Sequence, residues 1–180
     1  MSRAFWLIVF VAGAISTHLG YVLFAPNWQM GRILDAAAAF QGSNSLGVLP
    51  AEAEQAILGG DGVSGVAAIC VIDLSRGPVR LSAKFPEDFW TLTLYGADGK
   101  IVSSFAEAQA GLRDFELTLM PPAGLSAVLG TPGGKAAIPS AWTVTMTSQR
   151  GLAVLWASLP QPHQRARIAA VLGASRCVGT

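Results

Sequence analysis

Residues 4–25 read AFWLIVFVAGAISTHLGYVLFA and contain no Asp, Glu, Lys or Arg. An α-helix rises ~1.5 Å per residue, so 22 residues reach roughly 33 Å and cover the ~30 Å hydrocarbon core of a bilayer. Trp6 lies near one end of this run, and Tyr21 and Trp28 lie near the other, as in the aromatic belts of membrane proteins. The stretch predicts a transmembrane anchor at residues 1–25.

A cleaved signal peptide is the alternative interpretation of this stretch. The apolar region of a signal peptide usually has ~7–15 residues and ends in a small-x-small cleavage site. Here the run is longer, and bulky Phe24 and Pro26 stand where cleavage would occur, so we favour a retained anchor. Arg3 precedes the run, whereas Arg32 follows it at a distance with Asp35 close by. The positive-inside rule therefore favours a cytoplasmic N-terminus and an exported domain.

Small residues on one face of the predicted membrane helix indicate a helix partner. Four of them fall within one ~100° arc at ~100° per residue: Gly13, Ser16, Thr17 and Gly20. Small side chains let helix backbones approach closely, although they are also simply frequent in membrane helices. We predict a membrane-protein partner that binds this face within the lipid bilayer.

His18 lies nearly opposite that arc and close to the midpoint of the span. An ionisable residue at this depth suggests a function, and neutral imidazole ligates haem and similar rings. A haem or chlorophyll is thus one hypothesis, with Ala14 leaving room for a flat ring. The alternative, which we favour, is a neutral histidine that hydrogen-bonds a neighbouring helix or reaches towards the headgroups. We predict no cofactor.

The composition argues against nucleic acid as a partner. The chain has 12 Lys and Arg against 11 Asp and Glu, a net charge of +1, and no basic stripe. Phosphate contacts supply most of the affinity for nucleic acid, so such binding has little support. Charged residues make up 13% of the chain, against about 25% in typical soluble domains. This low charge predicts a surface that contacts a membrane or a partner protein.

Residues 26–65 are interpreted as a helical linker region. Pro26 is expected to end or kink the membrane helix. A second helical pattern follows, and its apolar face comprises Met30, Ile33, Leu34, Ala37 and Ala38. Residues 42–50 are interpreted as a loop, and residues 51–58 as a short helix that stops at two glycines.

Residues 66–180 predict an antiparallel, β-rich domain with a C-terminal helix. Most of its strands show alternating apolar and polar residues with turn signals between them. The strands are expected at residues 67–74, 79–85, 89–95, 100–105, 115–119, 142–147 and 152–159, and the helix at 163–175. Short turns imply antiparallel pairing. The fold class is α+β: a transmembrane helix, then an antiparallel β-sandwich or curved sheet with flanking helices.

No catalytic or cofactor motif fits its sequence context. Gly60, Gly62 and Gly65 match G-x-G-x-x-G, but they precede a strand instead of following one. Residues 130–135 lack the first glycine of a phosphate-binding loop. The best-placed carboxylates are Asp73 and the pair Glu87-Asp88, and adjacent carboxylates on a surface turn are usually just solvated. We therefore predict no catalytic residue and no metal site.

The two cysteines lie in a predicted core strand, at Cys70, and just after the last helix, at Cys177. In an exported domain an even pair suggests a disulfide. The alternative is a buried free thiol at 70 and an exposed one at 177. We favour the disulfide.

The stretches CVIDLSRGPV at 70–79 and FWTLTLY at 89–95, with Arg150-Gly151 and Cys177, resemble an uncharacterised family. It comprises proteobacterial single-span inner-membrane proteins known only as a domain of unknown function, which are small anchored relatives of larger β-sandwich proteins. The similarity covers most of residues 1–180. It implies an anchored periplasmic domain and a disulfide, and it implies no activity.

The functional prediction is a non-enzymatic accessory or assembly subunit of an inner-membrane or envelope complex. Its basis is the small-residue face, the low charge and the lack of a set of catalytic groups. The alternative is a membrane-tethered envelope enzyme or small-ligand-binding domain. In that case a pocket would lie between the sheet and the loop at 121–139, and Asp73 would matter.

Overall fold

The structure, a computed structural model, describes residues 3–58, 65–107, 114–122 and 142–180. The helices in these residues are α1 (Arg3–Gln41), α2 (Ala51–Leu58) and α3 (Arg165–Gly173), the last preceded by a 3-10 turn at Pro162–Gln164. The strands are β1 (Leu46–Val48), β2 (Gly65–Asp73), β3 (Val79–Lys84), β4 (Trp90–Gly96), β5 (Ile101–Ala106), β6 (Asp114–Met120), β7 (Trp142–Thr145), β8 (Arg150–Ser158) and β9 (Arg176–Gly179).

The strands form two sheets. The five-stranded sheet has the order β1-β2-β8-β4-β5 and is antiparallel throughout. The four-stranded sheet has the order β7-β6-β3-β9 and is mixed, because β6 and β7 are parallel. A purely antiparallel domain was expected. The long connection at 121–141 permits the parallel pair, since only tight turns require antiparallel neighbours.

An apolar core joins the inner faces of the two sheets. Alternate residues of β3, β4 and β6 are buried in it, as the period-2 pattern predicts. Residues of β2 and β8 enter the same core from the five-stranded sheet, and Ile168 and Leu172 enter it from α3. This arrangement agrees with the sandwich expected from the sequence.

The outer face of the five-stranded sheet is covered by the second half of α1. Met30, Leu34 and Ala37 are buried there, at the i, i+4, i+7 spacing of one helix face. Their partners are apolar residues of β2 and β8 with Leu49: Ala67, Ile69, Val71, Leu152 and Val154. Strand β2 is therefore buried on both faces from Gly65 to Ile72. We call residues 26–41 the docked half of α1 and residues 3–25 the apolar half.

Pro26 does not end α1, contrary to one of the two outcomes expected from the sequence. The helix continues through it to Gln41. Proline removes one backbone donor and crowds the preceding turn, and the burial of Met30 and Leu34 on the sheet offsets that cost. At the far end, the Gln41 side-chain amide donates a hydrogen bond of 2.6 Å to the Ile69 carbonyl.

Two short strands were not expected from the sequence. β1 lies within residues predicted to be a loop, and β9 follows the last helix. Each gains its hydrogen bonds from a longer neighbour, β2 for β1 and β3 for β9. Glycine suits position 47 of β1, because a Cβ there would collide with the Gln41 side chain. The other predicted strands and the helix at 51–58 are confirmed within a few residues.

Candidate functional site

The apolar half of α1 presents large apolar side chains to its surroundings on all sides. Phe10, Leu23 and Phe24 are each about 70% exposed or more (77%, 68% and 72%). An 18-residue window of α1 has a mean hydropathy of 2.0, and none of it is buried in the fold. By length and composition this helix can cross a membrane, a property that signal sequences near an N-terminus share.

The small residues of this helix fall on more than one surface. Gly13 and Thr17 line a shallow groove with Ala14, and His18 also borders it. Ser16 and Gly20 are not among the residues lining the groove. The Thr17 hydroxyl donates a 2.9 Å hydrogen bond to the Gly13 carbonyl, so this polar group is satisfied within the helix.

His18 therefore shares a groove with Gly13 and Thr17, although the helical pattern of the sequence placed it nearly opposite the arc of small residues. The predicted arc also included Ser16 and Gly20, whereas the groove extends from Gly13 and Thr17 towards Ala14 and His18. A helix packed in this groove would reach both the small residues and the imidazole.

Cys70 and Cys177 form the predicted disulfide, with their Cα atoms 6.5 Å apart and a sequence separation of 107. The bond links β2 of the five-stranded sheet to β9 of the four-stranded sheet. It lies in the core between the sheets, on the face of β2 opposite the docked half of α1. The alternative of two free thiols is thereby ruled out, and neither sulfur is free to bind a metal.

The best-placed carboxylates have structural partners. Asp73 accepts a hydrogen bond of 2.9 Å from the Ser75 backbone N–H, and hydrogen bonds from Ser75 hold the pKa of Asp73 below its usual value. The Asn44 side chain makes two hydrogen bonds to the Asp73 backbone. Its amide oxygen accepts one of 2.8 Å from the Asp73 N–H, and its amide nitrogen donates one of 2.9 Å to the Asp73 carbonyl. Asp88 pairs with Arg167 at 2.9 Å. A carboxylate with a lowered pKa is a weak general base.

Two sequence features lie wholly or largely outside the described residues. They are the glycine motif before β2, apart from Gly65 itself, and the loop at 121–139, apart from its first two positions. Within the described part of the chain, no three His, Cys, Asp or Glu side chains gather where they could hold a metal ion.

A cavity of about 470 Å³ lies where the docked half of α1 crosses the five-stranded sheet. Its floor is the outer face of β4 and β8, and its wall is the helix from Pro26 to Ile33. The lining residues are Pro26, Gln29, Met30, Ile33, Thr91, Thr93, Tyr95, Gly99, Leu152, Val154 and Trp156. None of them is Asp, Glu, Lys, Arg or His, so the cavity suits an uncharged, largely apolar occupant.

Aromatic and hydroxyl groups shape the floor of this cavity. The Trp156 ring packs edge-on against Phe89, with centroids 6.2 Å apart, and the Thr93 hydroxyl lies 3.2 Å from that of Ser104. The hairpin between β4 and β5 closes one end, where Gly99 adopts a φ of 76° beside Pro26 and Met30. This cavity was not predicted from the sequence. The one sequence feature that pointed to the cavity was the face of β4 that carries Thr91, Thr93 and Tyr95.

No protein-family model and no curated protein matches this sequence. Among solved structures, the fold is similar to that of the VPA0106 protein from Vibrio parahaemolyticus, with a TM-score of 0.57 and 9% identity over 87% of this chain and 37% of that one. An uncharacterised protein from Burkholderia cenocepacia gives a TM-score of 0.49 and 13% identity over 87% of this chain and 41% of that one. The chain thus spans less than half the length of either protein, and the first likeness concerns the fold alone.

Proposed function

We propose that this chain is a membrane-anchored accessory or assembly subunit of a bacterial inner-membrane or envelope complex. Its folded domain lies in the periplasm and catalyses no reaction of its own. The observation that carries this proposal is the continuity of α1, which is exposed and apolar over residues 3–25 and docked on the sheet from Met30 onward. A single rigid element thus connects a membrane-compatible surface to the core of the domain.

A continuous helix holds the domain in a fixed orientation to the bilayer. A domain that acts on diffusing substrates needs only a flexible tether, such as a Gly/Ser-rich linker. Here no linker separates the two halves of α1, and Met30 is buried four residues after Pro26. Fixed orientation suits a subunit that must align its domain with a neighbour in the same membrane.

Two further observations support a retained anchor and an exported domain. Residues 23–27 lie inside the helix instead of in an extended segment that a signal protease could bind. The Cys70–Cys177 disulfide favours an oxidising compartment, such as the periplasm. Arg3 before the apolar run is consistent with the same orientation by the positive-inside rule.

The proposal is tested by co-purification in mild detergent followed by quantitative mass spectrometry. The test variant carries Gly13→Leu and Gly20→Leu, and the matched control carries Ala4→Leu, about 180° around the helix from Gly13. A Cβ at either glycine would meet nothing within 4 Å, so the leucines leave this chain's own packing intact. We expect a stoichiometric membrane partner that is lost from the double variant and retained by the control. Recovery as a monomer in all three proteins would refute the subunit proposal.

Topology is tested separately by fusing alkaline phosphatase or green fluorescent protein after Thr180. Phosphatase is active only after export, whereas the fluorescent protein exported through the general secretion route stays dark. We expect phosphatase activity without fluorescence. Fluorescence without phosphatase activity would reverse the orientation and remove the periplasmic assignment.

A second candidate function, the binding of a small ligand, is favoured by the cavity between α1 and the five-stranded sheet. Its volume of about 470 Å³ falls within the ~300–1,000 Å³ typical of ligand pockets. This location differs from the pocket expected beside the loop at 121–139. The two candidates are compatible, because a subunit can hold a ligand at its junction with the membrane.

A further inference from the structure

The cavity between α1 and the five-stranded sheet lies at the level where the apolar half of the helix ends. Pro26, one of its lining residues, directly follows the predicted span at residues 4–25. At ~1.5 Å per residue, the wall from Pro26 to Ile33 extends only about 10 Å further along the helix axis. If residues 4–25 cross the bilayer, the cavity therefore sits at the membrane surface.

The apolar surface of the helix continues from the span into this region. Leu19 and Val22 are exposed on the side of the helix that carries Pro26, and Met30 and Ile33 continue that apolar side into the cavity. Leu152, Val154 and Trp156 extend that surface over the floor of the cavity. A flexible hydrocarbon chain leaving the bilayer beside α1 would meet apolar contacts along the whole route.

The polar groups of the lining are all uncharged. Gln29, Thr91 and Tyr95 bring amide and hydroxyl groups that can bond ester carbonyls, and nothing in the lining compensates a buried charge. A charged group would stay outside the cavity. On another side of the same helix turn, where neither residue lines the cavity, the Arg32 guanidinium lies 5.1 Å from the centre of the Trp28 ring. An aromatic–cation pair at this height is typical of the headgroup region. This distribution of apolar and polar groups fits a phospholipid whose acyl chain lies inside the cavity and whose headgroup lies outside it.

We propose that this cavity binds one acyl chain of a phospholipid from the outer leaflet of the surrounding bilayer. The inference rests on the proposed function, because the lipid reaches the cavity only if the apolar half of α1 is in the membrane. The bound chain fills space between the docked half and the sheet. It thereby joins the domain to the membrane surface by a second contact besides the helix itself.

The test uses the full chain in nanodiscs of phosphatidylethanolamine and phosphatidylglycerol, with a fraction of the phosphatidylethanolamine carrying a photoreactive diazirine in its acyl chain. After irradiation, trypsin separates the regions of interest. The peptide at 4–32 reports on the span, those at 85–100 and 151–165 on the cavity floor, and that at 168–176 on α3, whose Ile168 and Leu172 pack in the core between the sheets. We expect label on the first three peptides and only background on the fourth.

Matched variants show whether labelling of the floor requires the cavity. Thr93→Phe fills the cavity from the sheet, and Ile33→Phe fills it from the helix, so a folding defect in one leaves the other informative. Thr118→Phe makes the same change on an outward-facing position of β6 and serves as the control. We expect floor labelling to fall to background in both cavity variants and to persist in the control.

The outcomes separate this inference from the proposed function. Label on the peptide at 4–32 without label on the floor would overturn the lipid site and leave the anchor in place. Floor labelling that both cavity variants retain would also overturn the lipid site. Absence of label from the peptide at 4–32 would overturn both the anchor and the site.

Discussion

The two halves of α1 belong to one helix but present different surfaces. In the docked half, buried residues recur on one face while Arg32 and Asp35 lie elsewhere, the pattern of a helix packed on a domain. In the apolar half, every side is apolar and exposed to whatever surrounds the protein. A helix that is apolar all round must be enclosed by something, and within the described residues no protein surface covers it. The surface of the docked half matches the sheet that it contacts, and the surface of the apolar half matches the bilayer that we propose around it.

The largest expected effect comes from removing the disulfide on the opposite face of the five-stranded sheet. The variant with Cys70→Ala and Cys177→Ala loses a closed loop with a sequence separation of 107. The chain-entropy model gives a loss of about 4–5 kcal/mol in the free energy of unfolding for such a loop. Chemical denaturation with and without reductant measures this loss.

The same variant tests whether the docked half belongs to the domain. Amide hydrogen exchange in nanodiscs should accelerate across residues 30–41, because their protection depends on global unfolding. Exchange across residues 4–25 should stay unchanged, because in the proposed topology the bilayer protects them. Equal acceleration in both halves would remove the distinction between them.

The next largest effect concerns the apolar contacts of the docked half. Leu34 is 2% exposed between α1 and the sheet, so Leu34→Ala should destabilise the domain by about 2–5 kcal/mol. Leu19→Ala is the matched control in the apolar half, where Leu19 is 54% exposed. Thermal unfolding of the domain should shift only in the first variant. A similar shift for Leu19→Ala would mean that the apolar half also packs on the domain.

A smaller effect is expected from the ion pair that links the docked half to β8. Arg150 and Asp35 approach to 3.0 Å, and both side chains are substantially exposed. Exposed pairs contribute about 0.2–1 kcal/mol, so Asp35→Asn should cost no more than that. A double-mutant cycle with Arg150→Gln measures the coupling. A coupling well above this range would show that charge, and not apolar packing, holds the docked half.

The smallest effect is the dependence of stability on pH near the ends of the docked half. Hydrogen bonds from Ser75 lower the pKa of Asp73, near the C-terminal end, and hydrogen bonds from Lys100 lower the pKa of Asp98, near Asn27. A lowered folded-state pKa means that the stabilisation is complete above the unfolded pKa of ~3.9 and is lost as the pH falls through the folded value.

We therefore expect the melting temperature of the domain to fall below about pH 4, and to fall less in the variant with Asp73→Asn and Asp98→Asn. Both residues are partly exposed to solvent, so the difference is small. Thermal unfolding followed by circular dichroism across this range measures it. An equal fall of the melting temperature in the two proteins would show that neither hydrogen-bonded carboxylate contributes to the pH dependence of stability.

Local patterns were sufficient to predict much of the fold. Alternation along β3, β4 and β6 gave their positions and buried faces, and the face of Met30, Leu34 and Ala37 is the one that docks. The pairing of Cys70 with Cys177 followed from their even number in an exported domain. In each case the residues themselves carry the information, either in their spacing along the chain or in their chemistry.

Features that depend on distant contacts were not predictable in this way. The strands β1 and β9 are short edges that exist because β2 and β3 offer free hydrogen-bonding groups. The parallel pairing of β6 and β7 depends on how a long connection returns. The cavity exists only because α1 continues through Pro26 and crosses the sheet, whereas the proline favoured a break.

The continuity of α1 between membrane and domain is tested most directly by a distance measured across Pro26. Ser16→Cys and Ala36→Cys place spin labels on exposed positions of the two halves, and the native cysteines are unreactive in their disulfide. A continuous helix separates these positions by about 30 Å. Double electron–electron resonance in nanodiscs should give one narrow distribution at that distance. A broad or much shorter distribution would show that the halves move independently and would contradict the account.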